Sequence, residues 1–412
     1  MAWYSRLLPE TASAGAIWLI TARMARSFAD GMVSVLLPSY LVTLGFSAVQ
    51  VGAIATATLL GSAGLTLAVG LQAHRYEARR LLLFACALML LTGLAFAAFG
   101  LARAPLFLPL LLVAAVGTLN PSAGDVSVFQ PLEQSLLAQA ADARDHAALF
   151  ARFNVAAAGM GALGALASAF PGPLASITGL PLLDTMSLAF AIYALAGIAA
   201  FALYAQLPRQ SSAARDAPRA PLVRSRRIVL KLSALFTLDS FAGGFVVQSL
   251  LALWLFQRFQ FSLADAARFF FATTLLSGLS QLASPVLARR IGLIQTMVFT
   301  HLPANLFLML AAFMPTAELA VLFLMLRMSL ASMDVPARQA FVMAVVPPEE
   351  RAAAASVTNV PRSLGTGLAP LLSGYLLAAS DFGWPLLIAG GLKVIYDLLL
   401  LQGYRNHVAS RA

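Results

Sequence analysis

Long apolar blocks alternate with short polar segments along the whole chain. A helix that crosses a bilayer needs about 20 mostly apolar residues, and twelve blocks come close to that length or exceed it. The pattern therefore predicts an all-α membrane protein with twelve transmembrane helices. The predicted spans are residues 16–43, 50–71, 81–102, 106–137, 148–170, 184–207, 228–256, 264–288, 295–313, 319–345, 353–379 and 385–402.

Composition supports the same class of protein. Of the 412 residues, 60% are hydrophobic and 11% are charged, whereas soluble domains have about 45–50% apolar and about 25% charged residues. The net charge of +10 does not indicate a nucleic-acid partner, because the arginines lie between apolar blocks rather than in basic patches on a polar background. The single cysteine, Cys86, excludes a disulfide framework.

The distribution of arginine predicts the orientation in the membrane. If the N-terminus is inside, the inner segments hold sixteen arginines, and the outer loops hold only Arg103, Arg258 and Arg268. Cytoplasmic loops are enriched in basic residues. We therefore expect a multi-pass protein of the cell inner (cytoplasmic) membrane with both termini in the cytoplasm. No cleavable signal peptide is expected, so the first span directs insertion.

Residues 208–227 predict a connector between two halves. This segment is polar, basic and rich in proline, a composition that cannot bury enough apolar surface to order itself. We expect an N-terminal six-helix half at residues 1–207, a cytoplasmic linker at 208–227 and a C-terminal six-helix half at 228–412.

The two halves resemble each other in sequence. Pro131-Leu132-Glu133-Gln134 recurs as Pro336-Ala337-Arg338-Gln339, and Asn154-Val155 recurs as Asn359-Val360, each pair of matches at the same offset. Parallel duplication of six spans predicts two bundles related by a pseudo-twofold axis along the membrane normal. A solute site is then expected between the halves near the midplane.

The loop between spans two and three carries a family resemblance. It reads Gly70-Leu71-Gln72-Ala73-His74-Arg75-Tyr76-Glu77-Ala78-Arg79-Arg80, which is similar to the signature Gly-x-x-x-Asp-Arg-x-Gly-Arg-Arg of the major facilitator superfamily. His74 stands where the family has Asp. Residues 26–41 resemble the first helix of bacterial drug:proton antiporter-type exporters, and residues 159–164 keep half of the exporter signature of span five. The chain is identified as a member of this superfamily.

In this superfamily spans one, four, seven and ten line the central cavity, and here each carries an aspartate: Asp30, Asp125, Asp239 and Asp334. A charge at the bilayer centre costs at least about 2.5–3.5 kcal/mol. One hypothesis is that these carboxylates, together with Arg26, bind substrate or protons. The alternative is that an arginine holds each acid in a structural pair, since Arg26 and Arg338 lie one helical turn from Asp30 and Asp334.

Five further residues are candidates for gating. Glu133 and Arg338 occupy equivalent positions in the repeat and are predicted to form a salt bridge between the halves, with snorkelling to the interface as the alternative. Arg362 begins span eleven near the inner surface, and Arg75 and Arg79 belong to the signature loop.

Five more polar residues lie within spans. Lys393 and Asp397 are one turn apart in span twelve and are expected to form a structural pair. His301 is interpreted as a packing residue, with a proton relay as the less favoured alternative. Arg327 is a candidate to attract an anion or pair with an acid. Asn120-Pro121 predicts a break in span four.

The function predicted from these features is secondary active transport of a small organic solute by alternating access, as proton-coupled efflux. The alternatives are an uptake symporter or uniporter for an anionic metabolite, held by Arg26 or Arg327, and a non-transporting membrane receptor or scaffold. The sequence has no phosphate-binding loop and no Cys/His cluster with metal spacing. We therefore expect no enzyme and no cofactor, with the proton gradient as energy source. The expected partners are a small-molecule substrate, protons and lipid, with no nucleic acid, and the expected state is a monomer.

Overall fold

The structure is a computed structural model that describes residues 8–9, 11–72, 76–122, 127–142, 145–208, 223–347 and 350–404. Sixteen α-helices and no strand occur among these residues. They are α1 (Ala14–Thr43), α2 (Ala48–Gln72), α3 (Ala78–Leu101), α4 (Phe107–Val116), α5 (Phe129–Gln139), α6 (His146–Ala167), α7 (Pro171–Thr178), α8 (Leu182–Tyr204), α9 (Arg226–Gly244), α10 (Gln248–Phe259), α11 (Leu263–Ile291), α12 (Leu293–Phe313), α13 (Ala317–Ala331), α14 (Asp334–Val345), α15 (Arg351–Ala379) and α16 (Trp384–Tyr404). The predicted all-α fold class is confirmed, and each predicted span coincides with one helix or with two consecutive helices.

Spans four, seven and ten are each divided into two helices. The sequence predicted this break in span four but not in spans seven and ten. In span four, α4 ends at Gly117 with an extended backbone, and the predicted break at Asn120-Pro121 is confirmed. In span seven, α9 ends in two glycines, which are weak helix formers. In span ten, Pro336 lies in the first turn of α14, where the missing N–H of proline costs no helical hydrogen bond.

The helix surfaces fit a bilayer. Nine segments of the described residues are long and apolar enough to cross a membrane. Large apolar side chains, including Phe84, Leu91 and Leu112, are more than half exposed, whereas soluble monomers rarely expose extensive apolar surface. Lipid is therefore the solvent that these side chains suit.

The chain folds into two compact units. The first contains Met1–Phe46, Ala57–Asp216 and Ser262–Phe271, and the second contains Ser47–Thr56, Ala217–Phe261 and Ala272–Ala412. Each unit has its own apolar core. Phe129, Phe153 and Tyr204 belong to the core of the first unit, and Phe236, Phe341 and Tyr396 to that of the second.

Glycines let one pair of helices approach closely in each unit. In the first unit, a Cβ added to Gly164 of α6 would clash with the carbonyl oxygen of Phe28 on α1. In the second unit, a Cβ on Gly244 of α9 would clash with the carbonyl oxygen of Thr366 on α15. Small residues have this role at membrane helix contacts. The contacts bring α1 and α9, which carry candidate aspartates, firmly against their neighbours.

Candidate functional site

Helix α1 presents Arg23, Arg26 and Asp30 from successive turns. The stretch from Ala29 to Pro38 is buried without interruption, so this part of the helix is surrounded by protein rather than lipid. Charged side chains here must be balanced by other protein groups, because lipid offers no hydrogen bonds.

Glu133 of α5 provides the balance for the two arginines. It is fully buried, and its Oε1 accepts a hydrogen bond from Arg26 Nη1 at 2.5 Å and one from the Tyr204 hydroxyl of α8. Arg23 Nη1 lies 3.6 Å from the other carboxylate oxygen, and Arg26 Nη2 donates to Ser127 Oγ at 3.1 Å. We call Arg23, Arg26, Ser127, Glu133 and Tyr204 the Glu133 cluster. Charge-assisted bonds of this kind are the strong ones.

Asp30 does not belong to this cluster. It is buried, and among the described residues it has no hydrogen-bond partner and no cation within 4 Å. The local pair with Arg26 that the spacing suggested is not formed, because Arg26 reaches Glu133 and stacks over the Phe129 ring at 3.4 Å from its centroid. The arrangement leaves Asp30 as a carboxyl group with unused hydrogen-bonding capacity inside the first unit.

The second unit gathers a larger set of ionisable groups around Asp239 of α9. Lys393 Nζ of α16 donates to its Oδ1 at 2.5 Å, and Arg338 Nη1 of α14 donates to its Oδ2 at 3.2 Å. Arg338 Nη1 also lies 3.4 Å from Asp334 Oδ2, as the one-turn spacing predicted. Three of the sequence-predicted residues are thus in contact with one another.

The set extends to α12 through a histidine. His301 Nδ1 lies 2.9 Å from Asp397 Oδ1 of α16, and His301 Nε2 lies 3.9 Å from Asp239 Oδ1. Asn305 Nδ2 donates to Asp397 Oδ2 at 3.0 Å. We call Asp239, His301, Asn305, Asp334, Arg338, Lys393 and Asp397 the Asp239 cluster. All seven side chains are buried.

The expected pair of Lys393 and Asp397 is absent among the described contacts. Lys393 reaches across to α9, and Asp397 binds the His301 ring instead. The one-turn spacing would allow Lys393 to pair with Asp397, but Lys393 instead bonds Asp239 on the neighbouring helix α9. His301 does more than fill space in the core, since both of its ring nitrogens face carboxylates.

Arg327 of α13 has a different environment. Its Nη1 lies 3.1 Å from the Met328 sulfur, and its buried Nε has no hydrogen-bond partner among the described residues. No carboxylate of the described residues lies within 4 Å of it. An arginine inside a membrane-spanning segment normally pairs with an acid or with backbone carbonyls, so Arg327 retains donors for another group.

The other gating candidates bind within their own units. Arg79 donates to the carbonyl oxygen of Ala205 at 2.6 Å. Arg362 donates from Nε to Ser240 Oγ at 3.1 Å and from Nη1 to Asn359 Oδ1 at 3.4 Å. Their gating roles stay predictions. Asp125 and Arg75 lie outside the described residues.

The sequence analysis did not identify two acids that accept hydrogen bonds from the segments preceding α1 and α9. Asp145 Oδ2 accepts from Thr11 N at 3.2 Å and Thr11 Oγ1 at 2.7 Å. Glu350 accepts from the backbone N–H groups of residues 223–225 at 3.1, 2.8 and 3.0 Å and from the Ser225 hydroxyl. The Ser225 hydroxyl and the Arg224 N–H lower the pKa of Glu350 from 4.5 to about 2. The two acids have the same offset as the repeated motifs, a signal that could have identified them.

Tyr204 and Asn305 were missed as well. Both are neutral residues whose role depends on which helix lies opposite, and nothing local in the sequence marks them. Chemically, the two clusters provide buried carboxylates and one imidazole that can exchange protons, together with fixed cations that can compensate them. No group of His, Cys, Asp and Glu suited to a metal ion occurs in the described part of the chain.

Comparison with known proteins agrees with the helical architecture. A sequence profile described as Major Facilitator Superfamily matches residues 19–333. The uncharacterized membrane protein YJR124C of Saccharomyces cerevisiae (strain ATCC 204508 / S288c) is 23% identical over 414 residues, covering 91% of this chain and 90% of the yeast protein.

Two solved structures share the fold. The crystal structure of nucleoside transporter NupG has a TM-score of 0.71 at 16% identity and covers 95% of this chain and 100% of its own. The crystal structure of a D-xylose-proton symporter also has a TM-score of 0.71, at 14% identity, and covers 93% of this chain and 96% of its own. At these identities the likeness concerns the fold alone.

Proposed function

Because the chain belongs to the Major Facilitator Superfamily and therefore moves solute across a membrane by alternating access, we propose that it is a proton-coupled exporter of a small organic solute. In this proposal protons entering the cell drive efflux across the cytoplasmic membrane. The protein acts as a monomer with both termini in the cytoplasm. The resemblance of residues 26–41 to drug:proton antiporter-type exporters supports the direction.

The observation that carries the proposal is that Asp30 is buried and, among the described residues, has neither a hydrogen-bond partner nor a cation within 4 Å, while Arg26 and Arg23 act on it only at longer range. A buried carboxylate without a partner in direct contact is costly in its charged form, so a proton or a cationic solute stabilises Asp30 in a closed, dry site. Exposure to water removes that requirement. Alternating access would therefore make Asp30 bind and release a proton once per cycle, which is what coupled antiport needs.

The proposal is tested in proteoliposomes with an imposed pH gradient. Wild-type protein is expected to drive gradient-dependent movement of cationic, amphipathic fluorescent solutes. Asp30→Asn, which imitates the neutral acid, is expected to lose this movement but keep solute exchange in the absence of a gradient, because exchange needs no net proton transfer. Asp381→Asn is the matched control, since Asp381 is 61% exposed and pairs only with Arg258 among the described residues.

Two results would contradict the proposal. Equal gradient-driven movement in wild type and Asp30→Asn would remove Asp30 from coupling. Solute movement that ignores the gradient in every variant would exclude antiport and favour a uniporter.

A second candidate function is uptake of an anionic metabolite, and Arg327 is the observation that favours it. Its guanidinium has spare donors, and Arg26, the other sequence candidate, is occupied by Glu133. A carboxylate or phosphate on the solute would supply the missing charge, and guanidinium binds either one bidentately. Uptake of an organic anion that is lost in Arg327→Gln and kept in the exposed-site control Arg268→Gln would support this candidate, and equal uptake in both would exclude Arg327.

A further inference from the structure

Both ring nitrogens of His301 point at carboxylates, on two different helices. The distances are 2.9 Å from Nδ1 to Asp397 Oδ1 and 3.9 Å from Nε2 to Asp239 Oδ1. Of these two contacts, only that of Nδ1 with Asp397 is a hydrogen bond, and Asn305 Nδ2 also lies 3.3 Å from Nδ1. The distance from Nε2 to Asp239 is that of an ion pair, which forms only when the ring is protonated, because a neutral imidazole has a single N–H. His301 is 4% exposed and Asp397 is 0% exposed, so bulk water does not replace the missing donor. Two buried carboxylates thus face one imidazole in a site that bulk water does not reach.

Charge compensation at Asp397 gives an independent reason. Lys393 lies one turn away on the same helix but bonds Asp239 instead. The second carboxylate oxygen of Asp397 accepts from Asn305, which is neutral. His301 is thus the single group among the described contacts of Asp397 that can become positive. Without a proton on His301 or on Asp397 itself, a negative charge remains buried with no cation in direct contact among the described residues, which is expensive inside a protein.

The other elements around His301 do not supply that charge. From α9 comes Asp239, which already has Lys393 and Arg338 in contact. The neighbours contributed by α14 are Asp334 and Arg338, which bond each other.

Two more groups lie on α16 and α13. From α16, besides Lys393 and Asp397, comes the Tyr396 ring, 6.0 Å from the imidazole ring. From α13 comes Arg327, which interacts electrostatically with Asp239 but has no carboxylate within 4 Å among the described residues. The cluster therefore has three carboxylates and two permanent cations in direct contact with them.

We propose that His301 and Asp397 form a proton-binding site in the second unit and hold one proton between them. When the site holds the proton, His301 is an imidazolium, with Nδ1–H bonded to Asp397 and Nε2–H directed at Asp239. Release of the proton leaves the ring neutral with a single N–H, which can bond Asp397 but cannot also face Asp239. It also reduces the positive partners of Asp239 from three to two.

The role of this site in transport rests on the proposed function. If Asp30 and the pair of His301 and Asp397 both bind protons, coupling depends on both units. The titration itself requires no transport. The number of positive partners around Asp239 would then follow the proton occupancy of His301, so the balance of charge that faces α9 would differ between the two states.

The test uses full-length protein whose other three histidines, His74, His146 and His407, are replaced by Gln, so that His301 is the sole histidine. Ring nitrogens are labelled with ¹⁵N, and their NMR signals are followed across pH in lipid nanodiscs. We expect a one-proton transition at His301 and, on its acidic side, two protonated nitrogens. Asp397→Asn is expected to move the midpoint to lower pH by at least about one pH unit, since an opposite charge at this distance is worth about 1–3 units.

Asp381→Asn in the same background is the control and is expected to leave the midpoint unchanged. A His301 ring that keeps one protonation state across the pH range would overturn the proposal, and this result needs no substitution at Asp397 and so does not depend on that variant folding. An unchanged midpoint in folded Asp397→Asn would overturn it as well. Failure of gradient-driven flux with a normal His301 titration would instead remove the proposed function and leave this site standing.

Discussion

Replacement of Arg26 by Met removes the main cation from the Glu133 cluster without removing much apolar side-chain volume. Glu133 is then left fully buried, with the Tyr204 hydroxyl as its remaining short contact and Arg23 at 3.6 Å. The substitution therefore converts a compensated carboxylate into a poorly compensated one.

The expected loss follows from burial. Arg26 is 1% exposed and Glu133 is 0% exposed, and removing one partner of a buried ion pair costs about 3–5 kcal/mol. The contact of the Arg26 guanidinium with the Phe129 ring contributes about 2 kcal/mol at a desolvated site. Its loss is included in the total of about 3–5 kcal/mol given above. The pair of Arg268 and Asp265 is nearly as short, at 2.7 Å, but 70% and 44% exposed, and exposed pairs contribute about 0–1 kcal/mol.

The assay is denaturant unfolding of purified protein in mixed micelles, comparing Arg26→Met with Arg268→Met. We expect the buried substitution to lower the free energy of unfolding by about 3–5 kcal/mol and the exposed one by no more than about 1 kcal/mol. The double variant Arg26→Met/Glu133→Leu should recover part of the loss, because no uncompensated charge remains. Equal small losses at Arg26 and Arg268 would refute the reasoning that burial determines the strength of this pair.

Two further substitutions test helix packing and the contact of Glu350 with the chain entering α9. Gly164→Ala should destabilise the protein by about 1–3 kcal/mol, because the new methyl group clashes with the Phe28 carbonyl. Gly159 on the same helix has open space around it, so Gly159→Ala is the control. Equal melting temperatures for the two variants would contradict the close contact. Glu350→Gln should lower the melting temperature at neutral pH. Since the pKa of Glu350 falls from 4.5 to about 2 on folding, its stabilisation is complete above pH 4.5 and is lost as the pH falls toward 2. The advantage of wild type over Glu350→Gln should vanish over that range.

The number and order of the spans could be predicted from the sequence because they depend on local composition. Each block of about 20 apolar residues must satisfy its backbone internally in lipid, and a helix is the solution for a single segment. The same reasoning located the break at Asn120-Pro121, where the chemistry is local. It did not locate the break in span seven, where the residues between the helices, Phe245, Val246 and Val247, are apolar, or the break in span ten at Ser332-Met333.

The site was predictable only in part, for a related reason. A charged residue inside an apolar block is energetically unfavourable in a membrane and therefore indicates a functional or structural role. On this basis Asp30, Asp239 and Asp334 could be selected from the sequence. Their partners could not, because spacing along one helix reports only local options. Lys393 illustrates the limit, since it has an acid one turn away and yet bonds Asp239, 154 positions earlier in the chain.

The sequence by itself determined an all-helical membrane protein of this superfamily, because hydropathy, arginine distribution and the signature loop are all readable along one dimension. Only the tertiary structure decided which charges compensate one another. It assigned Arg26 to Glu133, left Asp30 and Arg327 without ion-pair partners among the described residues, and joined His301 to Asp397. The physical reason is that a buried charge takes whichever partner the packing of neighbouring helices brings within hydrogen-bonding distance, and that packing is set by contacts far apart in the sequence.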